Sequence, residues 1–276
     1  MGRSARSRGR ARRERKTAEP YRHFDDRHPT KGNGGSARTG KGESRGGEHA
    51  QIFFPRQLSH EIRTPLNAIV GFSSLLVSAE RGISEEKQEY INIIENNNTL
   101  LLQLISDVLD LSKIEAGTME FDYAPVDVHG LFIELEDTFR LRNKKSGICI
   151  CYHRRTTECA VKADRNRLVQ VMMNLMNNAV KFTGEGSIEF GFDVREDGFL
   201  HFYVTDTGCG IPEERLEEIF GNFVKLNSFV QGTGLGLTIC RAIVERMGGK
   251  IGAVSRLGQG STFWFTLPYT ANEEKV

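Results

Sequence analysis

A heptad pattern of apolar residues constrains the fold of this chain most strongly. Mostly apolar residues recur at alternating steps of three and four: Ile91, Ile94, Asn98, Leu101, Ile105 and Val108. This spacing predicts a long helix with a coiled-coil seam, in which Asn98 fixes the register. Further leucines widen the stripe beyond what one partner helix covers. The sequence therefore predicts a helical hairpin that pairs with a second copy as a four-helix bundle.

The two helices of this hairpin have recognisable ends. Pro55 suits the first position of a helix over residues 55–79, and residues 81–84 read as a turn. Ser84 is a suitable N-cap for the second helix, because acidic residues follow it in the first turn. Gly117 ends that helix at about residue 116.

A histidine lies on the polar side of the first helix. Residues 58–67 read L-S-H-E-I-R-T-P-L-N, and at 100° per residue His60 points away from the apolar stripe, with Thr64 beneath it. Glu61 is placed to orient the imidazole or to take its proton. Pro65 removes an N–H that would bond the carbonyl of Glu61, which predicts a bend. An ordinary exposed histidine on a solvated face remains the alternative reading.

From Met119 onward, helical and strand patterns alternate. The mixture, with hairpin-like strand pairs, predicts an α+β sandwich in which helices cover one face of a sheet. Strands are predicted at 119–126, 147–152, 160–163, 187–194, 199–205, 250–255 and 261–268, and helices at 127–145, 165–182, after Pro212, and at 234–247.

Three polar segments of this second half are candidates for ligand binding. Asn174, Asn178 and Lys181 share one face of the predicted helix 165–182, although Asn is a poor residue for a helix interior. Asn also occurs at 96–98 in another helix without an evident role, so this pattern alone leaves its function open.

Two glycine-rich loops complete the candidates. Asp206, Gly208 and Gly210 follow a predicted strand, where an Asp-x-Gly sequence is also common in ordinary turns. Residues 232–237 read G-T-G-L-G-L before a predicted helix, so that backbone N–H groups and the helix N-terminus can face phosphate. No Lys-Ser or Lys-Thr follows, and Leu237 breaks the Gly-x-Gly-x-x-Gly pattern, which excludes a Walker A loop and a Rossmann fingerprint.

In this order the segments resemble the motifs of bacterial two-component sensor histidine kinases. The sequence S-H-E-I-R-T-P-L resembles their H-box, and D-T-G-C-G resembles their G1 box. The sequence N-L-M-N-N-A-V-K-F-T resembles the N-box of the histidine kinase and Hsp90-like (GHKL) ATPases, which implies the GHKL ATPase fold for the α+β sandwich. The segment I-F-G-N-F resembles the F-box, without the usual acidic residue and proline, and G-T-G-L-G-L resembles the G2 box. Residues 224–232 would form the lid over the nucleotide. The resemblance covers about residues 54–268.

The resemblance implies roles for individual residues. His60 would be the phosphoacceptor, Glu61 would orient it or take its proton, and Thr64 would serve the dephosphorylation of a regulator. Asn178 would bind Mg²⁺ through its side-chain oxygen, and Asp206 would accept a hydrogen bond from adenine. Gly208 and Gly210 would let the backbone approach the base closely. The remaining nucleotide-binding positions would be Asn174, Lys181, Gly232, Thr233, Gly234, Leu235 and Gly236.

These roles imply an ATP- and Mg²⁺-dependent histidine protein kinase. A homodimer would phosphorylate His60 and pass the phosphoryl group to an Asp of a separate response-regulator receiver domain. Two alternatives remain: a catalytically impaired, nucleotide-binding dimer scaffold, and a response-regulator phosphatase.

Composition bounds the rest of the chain. Residues 1–50 contain no Leu, Ile or Val and hold 14 Lys and Arg against 6 Asp and Glu, which predicts a disordered basic tail. The remaining 226 residues hold 23 Lys and Arg against 30 Asp and Glu, so their net charge is negative. No nucleic-acid partner is therefore expected. Five cysteines without metal-ligand spacing and the lack of a long apolar run indicate a cytoplasmic location. The resemblance leaves open that the chain is the cytoplasmic part of a membrane-anchored sensor. The predicted domains are 54–117 and 118–270, followed by a tail at 271–276.

Overall fold

The computed structural model describes residues 56–78, 85–143, 147–154, 159–195, 197–226 and 232–269, without the side chains of residues 56–60 and 78. The predictions for the tails at 1–50 and 271–276, for Pro55 and for the turn at 81–84 therefore lie outside the described residues. So does most of the predicted lid.

Two long helices, α1 (Arg56–Ser78) and α2 (Glu85–Glu115), pack against each other as the predicted hairpin. Helix α1 continues through Pro65, whose ring is buried. Helix α2 has Glu85 and Glu86 in its first turn, where the helix dipole favours acidic side chains. It ends at Glu115, and Gly117, two residues further on, has a φ of 67° that glycine adopts readily.

The second half is the predicted α+β arrangement. Its elements are β1 (Ala124–Asp127), α3 (Val128–Arg142), β2 (Ile148–His153), β3 (Ala160–Ala163), α4 (Arg165–Phe182), β4 (Gly186–Val194), β5 (Phe199–Asp206), α5 (Gly236–Arg246), β6 (Ile251–Arg256) and β7 (Gly260–Pro268). Five strands form one sheet in the order β2-β4-β5-β7-β6, and β1 pairs with β3 separately. Only β2 and β4 run parallel in the main sheet; its other neighbours are antiparallel.

The core lies between this sheet and helices α3, α4 and α5. Aromatic rings fill its centre, where Phe132 of α3 contacts rings on three strands. Phe202 of β5 stacks on Phe265 of β7 with ring centroids 4.6 Å apart. Hydrophobic burial of such rings holds the helices against the sheet. The end of β5 and the first turn of α5 are thereby fixed close to α4.

The structure corrects several predicted elements. The strand predicted at 119–126 is only the four residues of β1, since β3 offers a four-residue partner; Met119 is instead buried in the core. The helix predicted after Pro212 consists of two short 3-10 turns, Glu213–Arg215 and Glu218–Phe220. Val108, assigned to the seam between hairpins, packs against the core of the second half.

Candidate functional site

Helix α4 supplies one wall of a cavity of about 540 Å³. Asp164 caps its N-terminus by accepting hydrogen bonds from the backbone N–H groups of Asn166 and Arg167. One face of α4 packs into the core, and the polar face presents Asn174, Asn178 and Lys181 to the cavity. The structure therefore brings together the three residues that the sequence placed on one helical face.

The loop after β5 forms the second wall. Asp206 is 4% exposed, and its Oδ1 accepts a hydrogen bond from the backbone N–H of Gly208 at 2.8 Å. Burial raises the pKa of Asp206, and the N–H groups of Gly208 and Ser261 oppose this shift. A carboxylate can accept several hydrogen bonds, so Asp206 can accept another from a ligand.

The two glycines of this loop face protein rather than the cavity centre. A Cβ on Gly208 would lie 2.3 Å from the carbonyl oxygen of Phe182, at the end of α4. A Cβ on Gly210 would lie 2.1 Å from the carbonyl oxygen of Arg256, and Gly210 has a φ of 69°. Close approach of the loop after β5 to the end of α4 and to the end of β6 therefore gives both glycines a packing role, and their predicted role at the base stays a prediction. Gly210 still lines the cavity; Gly208 does not.

The loop before α5 closes the end of the cavity nearest Lys181. Gly232, Thr233, Gly234 and Gly236 line it. A Cβ on Gly232 would lie 2.6 Å from Lys181 Nζ, which brings the cation beside this loop. Burial, together with the nearby charge of Lys225, lowers the pKa of Lys181.

Leu235 is placed differently from the other residues of this loop. Its side chain is fully buried in the core and does not line the cavity. Its backbone N–H donates to Thr233 Oγ1 at 3.2 Å. Leu235 therefore holds the loop in place, and the structure shows no contact of its side chain with the cavity.

The segment resembling the F-box is anchored on α5. Phe220 is buried, with the guanidinium carbon of Arg241 4.7 Å from its ring centroid. Thr238 donates to the carbonyl oxygens of Phe220 and Gly221. Phe220 is thus a packing residue.

Helix α2 forms a further wall that sequence reasoning missed. Leu100, Gln103 and Asp107 line the cavity from the hairpin side. Asp107 Oδ2 accepts a hydrogen bond from Thr233 Oγ1 at 2.8 Å, and its Oδ1 accepts one from Gln103 Nε2 at 2.7 Å. Burial raises the pKa of Asp107, and these two hydrogen bonds oppose the shift. The available signal was an acidic residue beside Val108 in a largely apolar part of the helix.

The predicted catalytic residues lie on α1. Only the helical backbone of His60 is described. Glu61 Oε2 pairs with Nζ of Lys225 at 2.6 Å, so the hairpin contacts the segment that follows the F-box. Thr64 is exposed one turn after His60. The roles of these three residues stay predictions.

The cavity also includes residues to which the sequence analysis gave no individual role, although some stand within its motifs or the predicted lid. Several adjoin motif positions in the sequence or on the helix, which was an available signal for some of them. They are Asn177, Phe182, Cys209, Ile211, Pro212, Arg215, Ile219, Val224, Lys225, Leu226, Leu237, Leu257, Ser261 and Phe263.

Two family models match the chain in the order of its two halves. Residues 51–117 match the His Kinase A (phospho-acceptor) domain. Residues 163–271 match the family described as histidine kinase-, DNA gyrase B-, and HSP90-like ATPase. The hairpin and the sandwich therefore define a phospho-acceptor domain followed by an ATPase domain.

Known proteins resemble the chain across both halves. The autoinducer 2 sensor kinase/phosphatase LuxQ of Vibrio vulnificus is 37% identical over 231 residues, covering 80% of this chain and 27% of LuxQ. Full-length ShkA in complex with AMPPNP matches with a TM-score of 0.60 at 34% identity, covering 79% of this chain and 46% of ShkA. Histidine kinase ThkA in complex with response regulator protein TrrA matches with a TM-score of 0.62 at 31% identity. This match covers 79% of this chain and 61% of the ThkA chain.

The chain belongs to the histidine kinases and carries the catalytic core of a two-component sensor histidine kinase. It spans roughly a quarter to three tenths of the length of the curated LuxQ, ArcB and GacS relatives. Among the described residues, no helix combines the length and apolarity needed to span a bilayer.

Proposed function

We propose that the chain phosphorylates itself on His60 with ATP and passes the phosphoryl group to an Asp of a response-regulator receiver domain. The observation that carries this proposal is the composition of the cavity. Nine of the eleven nucleotide-binding residues predicted from the sequence line it, and the hairpin that bears His60 forms one of its walls. The complex of the similar protein ShkA with AMPPNP supports nucleotide binding by this chain.

Within the cavity, the residues suggest an orientation for ATP. Asp206 is suited to accept the hydrogen bond of the adenine amino group, while Lys181 and the glycine loop before α5 suit the phosphates. The N-terminus of α5 lies at this loop and favours negative charge. This orientation directs the γ-phosphate toward the hairpin.

The donor set also suits Mg²⁺. This ion prefers oxygen ligands and is commonly held by few protein groups together with phosphate oxygens and water. The described residues contain no group of three or more His, Cys, Asp or Glu that could hold a metal alone. In our proposal Asn178 holds the ion through its side-chain oxygen, and the ion neutralises phosphate charge.

In the reaction, a neutral ring nitrogen of His60 attacks the γ-phosphorus. The new N–P bond forms as the bond between that phosphorus and the bridging oxygen breaks, and ADP leaves with the electron pair. An unperturbed histidine is mostly neutral at pH 7, so the nucleophile is available. Glu61 would accept the ring proton; its contact with Lys225 places it beside the cavity.

The proposal includes a homodimer, a separate receiver domain and a cytoplasmic location. The phospho-acceptor hairpin exposes apolar side chains that a second copy would cover. The structure of ThkA with response regulator TrrA supports a receiver partner. A cytoplasmic location would supply ATP and would keep the five cysteines reduced, as they are in this structure.

Incubation of the purified chain with γ-labelled ATP and Mg²⁺ tests the proposal. We expect a label that is acid-labile and base-stable, lost in His60→Gln and in Asn178→Ala. His153→Gln is the matched control, because His153 lies on β2 against Glu189 and should keep the label. A wild type that binds ATP but takes up no label, even when dimerised through an appended coiled coil, would leave a nucleotide-binding scaffold.

Dephosphorylation of the regulator is the second candidate function. LuxQ is named a kinase/phosphatase, and Thr64 is exposed one turn from His60. Thr64→Ala should keep the label of the previous assay and lose dephosphorylation of an aspartyl-phosphorylated receiver domain. Unchanged dephosphorylation by this variant would exclude the role of Thr64.

A further inference from the structure

Helix α2 places a carboxylate inside the cavity, although this helix belongs to the phospho-acceptor hairpin. Asp107 is 3% exposed. Burial of a charged group is unfavourable unless hydrogen bonds compensate for the lost water. Asp107 receives two, from Gln103 within its own helix and from Thr233 in the loop before α5. The second bond joins the hairpin to the nucleotide site.

That bond uses the whole donor capacity of Thr233. A threonine hydroxyl has one proton, and here Thr233 donates it to Asp107. The hydroxyl oxygen accepts from the backbone N–H of Leu235. As long as the hydroxyl group of Thr233 donates to Asp107, the side chain of Thr233 has no donor left for a ligand.

Thr233 lies where the phosphates are expected. Its neighbours Gly232 and Gly234 both line the cavity, and Lys181 Nζ is beside Gly232. The loop leads directly into the N-terminus of α5. A phosphate bound between Lys181 and this helix end would need the same hydroxyl group of Thr233 as its hydrogen-bond donor, which here donates to Asp107.

We propose that Asp107 competes with the nucleotide phosphates for the hydroxyl group of Thr233, and so sets the affinity of the site for phosphorylated adenosine. This inference rests on the proposed function of the cavity. A carboxylate and a phosphate are both anions that only accept, so a single donor between them serves one at a time. Their mutual repulsion in a buried site adds to the competition.

A second contact also joins a carboxylate of the hairpin to a side chain that lines the cavity. Lys225 lines the cavity, and its ammonium group pairs with Glu61 of α1. Two side chains that face the phosphate end are therefore engaged by hairpin carboxylates in this structure. By contrast, Asp110 on α2 bonds Arg167 and Gln170 of α4, which do not line the cavity. Asp110 thus provides a control on the same helix.

Calorimetric titration with adenosine and with ADP, in the presence of Mg²⁺, tests the inference on the full chain. Asp107→Asn keeps the shape of the side chain but replaces the carboxylate by a neutral amide. Its oxygen accepts a weaker hydrogen bond from Thr233 than a carboxylate does, and it does not repel a phosphate. We expect it to bind ADP roughly three- to tenfold more tightly, as screened repulsion between neighbouring anions predicts, with adenosine affinity unchanged. Asp110→Asn should leave the ratio of the two affinities within about twofold of wild type.

Several outcomes would overturn the inference. Equal or weaker ADP binding by Asp107→Asn would show that the carboxylate does not compete. An equal gain in Asp110→Asn would assign the effect to the overall charge of the hairpin. If thermal unfolding shows that Asp107→Asn is not folded, Asp107→Ala is the second variant and carries the same expectation. A wild type that binds neither ligand would instead refute the proposed function.

Discussion

At the scale of single residues, Gly210 shows how a motif position can serve the fold. Its φ of 69° lies in the left-handed region, and a Cβ there would meet the Arg256 carbonyl oxygen. We expect Gly210→Ala to lower the free energy of unfolding by roughly 1–3 kcal/mol, because strain and close contact both oppose a side chain. Denaturant unfolding measures this change.

Gly184→Ala is the matched control for Gly210→Ala. Gly184 lies in the loop between α4 and β4, and a Cβ there would meet nothing within 4 Å. Its unfolding free energy should stay close to that of wild type. Equal stability of both variants would show that Gly210 is not required for packing and would return it to the role of a base-approach residue.

The residues that line one wall of the cavity together were predictable because motifs are local. Asn174, Asn178 and Lys181 share a helix face by spacing alone, so their common wall followed from the sequence. Asp107 could not be found that way, since its partner Thr233 is 126 residues further along the chain. Only the packing of α2 against α5 brings the two together. The burial of Leu235, within a motif, likewise depends on tertiary packing in the core.

At the scale of elements, the sheet face opposite the helices buries an ionisable ring. His201 of β5 is 6% exposed and stacks on Trp264 of the neighbouring β7, with centroids 5.7 Å apart. Gly252 on β6 leaves room for the Trp264 ring, because a Cβ there would lie 2.5 Å from it. Burial lowers the pKa of His201 to about 4; the charge of Arg195 adds to the shift, and Asp193 and Asp197 oppose it.

This shift predicts a pH dependence of stability. His201 is neutral in both folded and unfolded chains above about pH 6.5, so its full contribution is present there. As the pH falls from about 6.5 to about 4, the unfolded chain takes up the proton first, and stability declines by up to about 3 kcal/mol. His201→Phe keeps a ring on Trp264 and should show a smaller decline in denaturant unfolding across this range.

His153→Gln is the control for the pH dependence, since His153 lies on the edge strand β2 and is only partly buried. The free energy of unfolding of the His153→Gln variant should decline with falling pH as much as that of wild type. Parallel curves for wild type and His201→Phe would mean that His201 does not remain neutral in the folded chain. Carboxylates also titrate within this pH range. The informative quantity is therefore the difference in the free energy of unfolding between His201→Phe and wild type at each pH.

Element boundaries were predictable where local signals are strong. Helix α4 has the predicted bounds, because Asp164 caps it and its apolar spacing is regular. The strand expected at 119–126 was too long, since its pattern of alternating residues says nothing about the length of its partner β3. The pairing of Val108 with the second half was missed for a similar reason: a seam position can face either a second hairpin or another domain.

At the scale of the whole molecule, the hairpin leaves a large apolar surface uncovered. Exposed apolar side chains lie on both of its helices, and those at 102, 105 and 109 share one face of α2 at helical spacing. They are Leu66, Val70, Leu75, Val77, Leu102, Ile105 and Leu109. The packing of Val108 against the second half leaves these residues for a partner of the kind that the heptad pattern predicts.

We therefore expect a dimer in solution, with a mass twice the 31.0 kDa of one chain. The double variant Leu102→Glu and Ile105→Glu should be monomeric in analytical ultracentrifugation, because burial of each such side chain in the dimer is worth about 1.5–3 kcal/mol. Leu141→Glu is the matched control: Leu141 is as exposed as Leu102 but lies on α3, and this variant should remain dimeric. A wild type that sediments as a monomer, or dimerisation lost equally in both variants, would refute pairing through this face.

The double variant should also keep nucleotide binding, because neither substituted residue lines the cavity. Retained binding would show that the variant has lost the dimer and not the fold.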